Sequence, residues 1–335
     1  MEGVTLLPAR TRRPSLVVTP AVAGHRGASG HRPEHTLEAY RHALRLGADE
    51  VELDLVSTAD GVLVARHESE LSRTTDVADR PELAHRRSVR LVEGRPVEGW
   101  FVEDLTLEEV RLLRARERWP ALRPASAAYD GMLAVPTLDD VLAALPRVAL
   151  LLELKDPAAS AARGLDLLDP LLEALRRHGR DHDRSRTTVM AFEPTALRSL
   201  AERTRLPLVQ LVDHLDDRAG DGSGTFRDLV SPAGLAGVAG YADAIGMRHT
   251  LLTREAGGRL EPTGLVRAAH REWLGVRAWT LRAEDRFLPA PFRGGAGLRG
   301  YAELLLDLGV DGLITDQPEV CLAVTAPSGR VATRR

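Results

Sequence analysis

The chain has 335 residues, 44% hydrophobic and 28% charged, which is ordinary for a globular protein with a large core. Its formal net charge of −3 gives no general attraction to nucleic acid or to an anionic membrane. The single cysteine, Cys321, excludes an intrachain disulfide and a cysteine metal cluster. No apolar run approaches the about 20 residues of a membrane span, and residues 1–19 lack a signal-peptide pattern, so a cytoplasmic protein is expected.

Short apolar or β-branched runs alternate with longer helical patterns from Pro20 almost to the C-terminus. The predicted strands are Ala21–Gly24, Glu50–Val56, Ala149–Leu154, Thr187–Ala191, Leu208–Val212, Asp243–Met247, Val276–Leu281 and Gly312–Thr315. The predicted helices that follow most of them are Glu34–Leu46, Leu165–His178, Thr195–Arg203, Thr263–Leu274, Leu298–Leu308 and Glu319–Val324.

This alternation predicts an α/β fold with a parallel sheet, and eight strand–helix units favour a closed (β/α)8 barrel. A doubly wound sheet is the alternative, because the number of elements does not prove that the sheet closes. The barrel is expected to form one domain, residues 20–325, with tails at 1–19 and 326–335.

The alternation is interrupted after the second strand. The pair Asp60-Gly61 is typical of a hairpin turn, so Val62–Arg66 is expected to pair with that strand. An insertion at about 68–145 follows, with one predicted helix, Leu107–Arg116, in otherwise loop-like sequence. Because it follows a barrel strand, it should emerge at the C-terminal face, where barrel active sites lie. We expect a cap over the substrate pocket; a lid without substrate contact is the alternative.

Acidic residues share one face of two predicted strands. Alternation along Glu50–Val56 directs Glu52 and Asp54 into the barrel, and Glu153 shares a face with Lys155 on the next strand. Buried carboxylates side by side repel one another unless a cation or proton intervenes. Three of them form a credible oxygen site for one divalent cation, Ca²⁺ or Mg²⁺. The alternative is that the acids pair with arginines at the barrel mouth.

Two histidines fall at strand ends near these acids. His25 ends the first strand and His67 ends the hairpin strand. Imidazole serves as a general acid or base near neutral pH, so the pair is a candidate for proton transfer. Arg26 and Lys155 are candidates for binding the non-bridging oxygens of a phosphate.

The motifs resemble, in content and order, those of the glycerophosphodiester phosphodiesterase family. They are His25-Arg26-Gly27-Ala28-Ser29-Gly30, Pro33-Glu34-His35-Thr36-Leu37-Glu38-Ala39, Glu52-Leu53-Asp54-Leu55, His67, Glu153-Leu154-Lys155, Trp279-Thr280 and Thr315-Asp316-Gln317-Pro318. Within the family the chain most resembles the bacterial periplasmic type, in the segments Thr74-Thr75-Asp76-Val77-Ala78-Asp79, Asp104-Leu105-Thr106 and Gly240-Tyr241-Ala242-Asp243. The resemblance implies a TIM barrel with an inserted cap, a Ca²⁺ or Mg²⁺ ion, and hydrolysis of glycerophosphodiesters to glycerol 3-phosphate and an alcohol.

The resemblance also implies roles for individual residues. The acid/base pair is His25 and His67, the metal ligands are Glu52, Asp54 and Glu153, the phosphate contacts are Arg26 and Lys155, and the aromatic wall is Trp279, for which a core position is the alternative. Two positions depart from the family pattern. Glu68 stands where the family usually has Asp, which leaves the orientation of His67 open, and His35 stands where Asn is frequent.

Two other functions remain as alternatives. A lipid phosphodiesterase of the phospholipase D or C type uses a similar barrel, but no exposed apolar loop suited to a bilayer is recognisable in the sequence. A non-catalytic metabolite-binding barrel would lack a histidine or an acid, whereas all five are present. The expected partner is a small-molecule diester, without nucleic acid or stable membrane association. Head group, native metal, oligomeric state, the acid or base role of each histidine, and the choice between water attack and a cyclic intermediate stay open.

Overall fold

A computed structural model describes residues 17–92, 94–325 and 332–333. Most of the two predicted tails, 1–19 and 326–335, lies outside these residues; within the tails, Val17–Val18 pairs with Ala332–Thr333 in an antiparallel bridge of two residues each. The barrel strands are β1 (Ala21–Gly24), β2 (Glu50–Ser57), β3 (Ala149–Leu154), β4 (Thr187–Ala191), β5 (Leu208–Val212), β6 (Ala244–Arg248), β7 (Gly275–Leu281) and β8 (Gly312–Thr315).

The eight strands are parallel and form a closed ring. Each pairs with its sequence neighbours, and β1 pairs with both β2 and β8. The closing registers are Ala23 opposite Glu50 on one side and Gly24 opposite Thr315 on the other. A doubly wound sheet has two free edges, so this closure excludes that alternative and confirms the predicted TIM barrel.

Helices surround the barrel and cap it. Their bounds are α1 (Leu37–Arg45), α2 (Leu107–Leu112), α3 (Pro124–Ala127), α4 (Leu138–Ala144), α5 (Pro157–Ala161), α6 (Leu168–Arg177), α7 (Pro194–Arg203), α8 (Phe226–Leu229), α9 (Pro232–Ala239), α10 (Leu265–Arg271), α11 (Gly297–Asp307) and α12 (Pro318–Thr325). The six helices predicted from sequence are present with ends shifted by at most three residues. For example, α1 begins after Thr36, because its hydroxyl accepts the backbone N–H of Ala39 at 3.1 Å. Among the described residues, no helix has the length and apolar character needed to cross a membrane.

Apolar side chains form separate layers outside and inside the barrel. Val51, Leu53 and Leu55 of β2 belong to the outer layer, between the strands and the helices. The inner layer is smaller and includes Leu151 and Met190. Because neighbouring residues of a strand point to opposite faces, the polar residues of β2 and β3 are directed inward.

The insertion after β2 is a compact cap rather than a loose loop. Leu63–Ala65 first pairs antiparallel with β2, as the Asp-Gly turn predicted. A second hairpin, Ser88–Val92 with Arg95–Gly99, follows. The cap has its own apolar cluster, in which Trp100 is buried and its Nε1 donates to the carbonyl of Leu83 at 2.7 Å.

Two features of the insertion differ from the sequence-based description. The predicted helix Leu107–Arg116 was too long: α2 ends at Leu112, because Arg114 and Ala115 instead form β-bridges to other parts of the cap. The insertion predicted at about 68–145 also contains α4, whose buried residues pack into the outer barrel layer. The second helix of the barrel was therefore not separated from the cap, because polar residues surround its short apolar stripe.

Candidate active site

Three carboxylates meet inside the barrel. Asp54 of β2 lies directly opposite Glu153 of β3, and Glu52 is two residues before Asp54 on the same face. All three are buried, and one oxygen of each lies within 4.8 Å of an oxygen of the other two. The alternation of inward and outward side chains along each of these two strands predicts this grouping.

The electrostatics of these acids favour a cation between them. Burial and the charges of Asp54 and Glu153 raise the pKa of Glu52 well above its usual range. Burial, opposed by Lys155 and reinforced by Asp54, raises the pKa of Glu153 to about 8. Although burial opposes it, the pKa of Asp54 lies well below its usual range, because Lys155, His67 and Arg26 are close.

The donor set itself fits a hard divalent cation. It consists of oxygen atoms only, which suits Ca²⁺ and Mg²⁺. Within the described part of the chain, Oδ1 of Asp54 is buried and has no hydrogen-bond partner. A buried carboxylate oxygen without a partner is costly, and a bound cation would satisfy it.

Lys155 and Arg26 lie against the acid triad. Nζ of Lys155 is 2.6 Å from Oε1 of Glu153 and 4.0 Å from Oδ1 of Asp54. The backbone N–H of Arg26 donates to Oε2 of Glu52 at 2.7 Å, and its Nε is 3.2 Å from Oδ2 of Asp54. The positive charges of Lys155 and Arg26 offset part of the negative charge of the three carboxylates. The alternative in which the acids pair with basic residues at the barrel mouth is therefore partly realised, alongside the triad itself.

His25 is held by a buried carboxylate. Its Nδ1 is 2.7 Å from Oδ1 of Asp316, and its Nε2 lies 3.4 Å from the hydroxyl of Thr280. Because a carboxylate only accepts, Nδ1 carries the proton in the neutral ring and Nε2 is free to accept one. Burial and the neighbouring Arg26 lower the pKa of His25 to about 4. Asp316 belongs to the motif Thr315-Asp316-Gln317-Pro318, but residue spacing does not predict its contact with His25.

His67 follows the strand Leu63–Ala65 and also has a carboxylate nearby, although its Nδ1 lacks the hydrogen-bond geometry that His25 has with Asp316. Its Nδ1 lies 2.9 Å from Oε1 of Glu68, and its side chain is 30% exposed. Burial and the charges of Arg26 and Lys155 lower the pKa of His67. The substitution of Glu for the family's Asp had left the orientation of this histidine open. The longer Glu68 side chain still places its carboxylate beside Nδ1.

His35 is a second site residue whose place was not foreseen. Its Nε2 lies 2.8 Å from Oδ2 of Asp54, and its Nδ1 lies 3.1 Å from the hydroxyl of Tyr40. The side chain is fully buried. The available signal was its position in the motif Pro33-Glu34-His35-Thr36, where the family frequently has another polar residue.

The site opens into a cavity of about 1010 Å³. Seven of the eight residues predicted for the site line it, namely His25, Arg26, Glu52, His67, Glu153, Lys155 and Trp279. Asp54 does not line the cavity, because it is only 1% exposed, but it lies next to Glu52 and Glu153, which do. The cap also reaches the cavity, through Arg90, Leu91 and Val97. The cap therefore forms part of the cavity wall.

Trp279 lines the cavity and also packs against the inner apolar layer. Its ring is 5.5 Å from that of Phe192, in an edge-to-face arrangement. The guanidinium carbon of Arg248 lies 5.7 Å from its ring centre. No described residue accepts a hydrogen bond from its buried Nε1.

The second hairpin of the insertion, Ser88–Val92 with Arg95–Gly99, presents apolar side chains next to the cavity. Val89 is 63% exposed, Leu91 73% and Val92 41%, and the last two line the cavity mouth. This corrects the expectation that the chain has no exposed apolar loop. The sequence did not reveal it because the run Ser88–Val92 alternates with arginine and is not predicted as a hairpin.

A barrel with its polar residues at the carboxyl ends of its strands places this chain among the TIM-barrel enzymes. A model of the glycerophosphoryl diester phosphodiesterase family matches residues 25–320. The chain therefore belongs to the glycerophosphoryl diester phosphodiesterase family. Its enzyme class is accordingly that of a phosphoric diester hydrolase acting on glycerophosphodiesters.

Individual relatives agree with this assignment. A glycerophosphodiester phosphodiesterase of Arabidopsis thaliana is 32% identical, covering 91% of this chain and 86% of the relative. One from Haemophilus influenzae is 26% identical, covering 89% and 87%. Among solved structures, one from Silicibacter pomeroyi that carries the same family name is 25% identical, with a TM-score of 0.68 over 93% of this chain and 95% of that one. A phosphodiesterase of Oleispira antarctica in complex with sn-glycerol-3-phosphate has the same fold, at 19% identity and a TM-score of 0.61 over 91% and 96%.

Proposed function

We propose that this chain hydrolyses glycerophosphodiesters to glycerol 3-phosphate and an alcohol, with one divalent cation and a histidine pair. The observation that carries this proposal is the meeting of Glu52, Asp54 and Glu153 in a cavity that His25 and His67 also line. We further propose that residues 20–325 form one catalytic domain and that the insertion within about 68–145 is its cap.

The acid triad would hold Ca²⁺ or Mg²⁺. When bound there, the cation would offset charge on the phosphate oxygens during displacement. Arg26 and Lys155 would bind the remaining non-bridging oxygens, since both already face the triad and carry positive charge. Trp279 would shape the wall beside the substrate.

The histidines would move the protons. Nε2 of His25 accepts a proton in the neutral ring, and Asp316 would stabilise the imidazolium that results. His67, with Glu68 beside its Nδ1, would exchange a proton with the other reacting oxygen. Either histidine could serve as the base, and the nucleophile could be water or the 2-hydroxyl of the glycerol.

One relative supports the substrate assignment. The Oleispira antarctica phosphodiesterase contains sn-glycerol-3-phosphate as its product. A product of this kind requires a pocket that binds a phosphate and small hydroxyl groups. The cavity here combines cations at its base with an aromatic wall, which suits such a molecule.

The decisive test is release of glycerol 3-phosphate from glycerophosphocholine by the purified protein. Turnover is measured untreated, after chelation, and after Ca²⁺, Mg²⁺ or Mn²⁺ is returned separately. Loss with chelator and recovery with one metal is expected. If no metal supports release from the choline, ethanolamine, inositol or glycerol diesters, the proposed substrate is wrong.

A lipid phosphodiester is a second candidate, favoured by the exposed Val89, Leu91 and Val92 beside the cavity. Turnover of lysophosphatidylcholine in vesicles is compared with that of glycerophosphocholine. Leu91→Ser serves as the test variant, and Met132→Ser, at an exposed position that does not line this cavity, is the control. Loss confined to the lipid substrate in Leu91→Ser would establish a role for the hairpin in lipid binding. If Leu91→Ser and Met132→Ser have equal turnover on both substrates, the hairpin has no role in lipid binding.

A further inference from the structure

Two arginines of the cap contact the carboxylates that accompany the two histidines. Arg118 donates to both oxygens of Glu68, at 2.5 and 2.6 Å, and Glu68 lies beside Nδ1 of His67. Arg123 donates to Oδ2 of Asp316 at 2.6 Å, and the other oxygen of Asp316 faces Nδ1 of His25. Each histidine is thus connected through one carboxylate to one cap arginine.

Both arginines are buried and fully engaged. The side chain of Arg118 is 5% exposed and that of Arg123 is 4% exposed. Arg118 also donates to both oxygens of Glu34, at 2.7 and 2.6 Å. Glu34 in turn accepts from Nη1 of Arg26 at 2.9 Å. The guanidinium of Arg118 therefore joins the His67 side of the site to a proposed phosphate contact.

Arg123 has a comparable set of partners on the other side. Its Nη1 donates to the carbonyl of Ser29 at 2.9 Å, and its Nε contacts Glu284. Asp316 also accepts from Nε of Arg282 at 2.8 Å, on the same oxygen that Arg123 contacts. Arg123 and Arg282 thus both donate to Oδ2 of Asp316, and Oδ1 remains for the contact with Nδ1 of His25.

A single short segment presents both guanidinium groups. Trp119, next to Arg118, packs on Phe287 at 5.1 Å between ring centres. The guanidinium carbons of Arg123 and Arg282 lie 4.7 and 5.3 Å from the Trp119 ring. These contacts hold the segment against the loop after β7, so the two positive charges have defined places relative to the barrel.

We propose that Arg118 and Arg123 are positioning residues, through which the cap sets the orientation of both histidines. Arg118 binds both oxygens of Glu68 and so fixes the plane of that carboxylate, whereas Arg123 binds Oδ2 of Asp316 alone and so fixes which oxygen faces His25. The carboxylate then fixes which imidazole nitrogen carries the proton. This inference rests on the proposed acid/base function of His25 and His67. If the two arginines only anchored the cap to the barrel, their loss would not affect one proton-transfer step more than the other.

The test compares Arg118→Gln and Arg123→Gln with Arg116→Gln as the matched control. Arg116 lies in the same segment, but its contact is the exposed Asp79. Turnover number and KM are measured with glycerophosphocholine and with the p-nitrophenyl diester of glycerol 3-phosphate, whose leaving group needs no proton. The same measurements are made on His25→Ala and His67→Ala. The variant whose turnover recovers with the p-nitrophenyl diester lacks the histidine that protonates the leaving group.

Each arginine variant is expected to reproduce the substrate pattern of its own histidine variant. Arg118→Gln should resemble His67→Ala, and Arg123→Gln should resemble His25→Ala, with turnover on glycerophosphocholine reduced roughly 10–100-fold. Arg116→Gln should retain turnover within about twofold, as expected for an exposed pair. Adding Arg118→Gln to Glu68→Gln should cost little more, because the two residues act through one contact.

The proposal fails if both arginine variants keep the turnover of Arg116→Gln while the histidine variants are inactive. It also fails if the substrate pattern of an arginine variant differs from that of its own histidine variant, or if the effects of Arg118→Gln and Glu68→Gln multiply. If thermal unfolding shows that a glutamine variant does not fold, Arg118→Lys or Arg123→Lys takes its place, retaining the charge without the planar set of guanidinium donors. A different result, in which the histidine variants themselves remain active, would instead contradict the proposed acid/base function.

Discussion

Nε2 of His35 lies 2.8 Å from Oδ2 of Asp54, so a buried histidine supports one carboxylate of the acid triad from behind. The backbone of His35 is in the left-handed region, with φ of 55°. Asn tolerates this region better than most residues, which makes His35→Asn the least disruptive substitution. The shorter amide would not reach Asp54. We expect metal affinity to fall about 10–100-fold, as for other partners of metal ligands.

Titration of the metal-free protein, followed calorimetrically, measures this affinity. Tyr40→Phe is the control, because it removes the hydroxyl 3.1 Å from the other ring nitrogen and leaves the contact with Asp54 in place. Its affinity should change less than that of His35→Asn. Equal affinity in His35→Asn and the unaltered protein would show that the contact does not support the cation site.

Removing one charge from the triad should have opposite effects with and without metal. Burial and the charges of Asp54 and Glu153 raise the pKa of Glu52, so replacing this carboxylate in Glu52→Gln should increase the melting temperature in chelator. It should also abolish the stabilisation by metal, which would be about 2.7 kcal/mol at a metal concentration 100 times Kd. Glu50→Gln is the control on the same strand, since Glu50 pairs with Arg277. If Glu52→Gln keeps a metal-induced shift as large as that of Glu50→Gln, Glu52 is not a ligand.

The stability of the metal-free protein should depend on pH through Glu153. Its pKa is raised from 4.5 to about 8 in the folded state, so the folded protein binds more protons than the unfolded chain between these values. Stability from this group is therefore present below about pH 4.5 and declines as the pH rises to about 8. Thermal unfolding in chelator from pH 5 to 8.5 should show a steeper decline than in Glu153→Gln. Identical slopes in the two proteins would contradict the raised pKa.

Loss of either histidine should lower turnover strongly. His25→Ala and His67→Ala are each expected to reduce it about 10²–10⁴-fold, the range that general acid–base help supplies. His182→Ala is the control, because His182 is exposed and accepts only a backbone N–H of Arg184. Steady-state release of glycerol 3-phosphate is the measurement. Near-normal turnover in either test variant would remove that histidine from the mechanism.

Asp316→Asn tests the proton position on His25. The asparagine amide can donate to Nδ1, which would move the ring proton to Nε2 and block its use as an acceptor. We expect a large fall in turnover with little change in KM. Asp311→Asn is a comparison outside the cavity, where His270 contacts the carboxylate at 2.8 Å. Equal turnover of the two variants would argue against a role for Asp316 in orienting His25.

Much of the barrel and of the acid triad could be predicted from local sequence. The β-strand repeat of two residues directs Glu52, Asp54 and Glu153 to one side whatever the rest of the chain does. The helices next to them follow from apolar periodicity, although α1 begins after Thr36 and not at the predicted Glu34. The second barrel helix, α4, was missed because its short stripe of leucine and valine lies directly after the polar cap.

The sequence by itself determined the strand–helix alternation, the inward acids and the two histidines at strand ends, because these depend on residue spacing. Only the tertiary structure decided barrel closure, the contact of His35 with Asp54, and the partners of the histidines. Arg118 lies 50 residues from Glu68, and Arg123 lies 193 residues from Asp316. Such pairs depend on how the cap folds back onto the barrel. Periodicity carries no information about contacts at this separation, because they arise from packing between elements rather than within one.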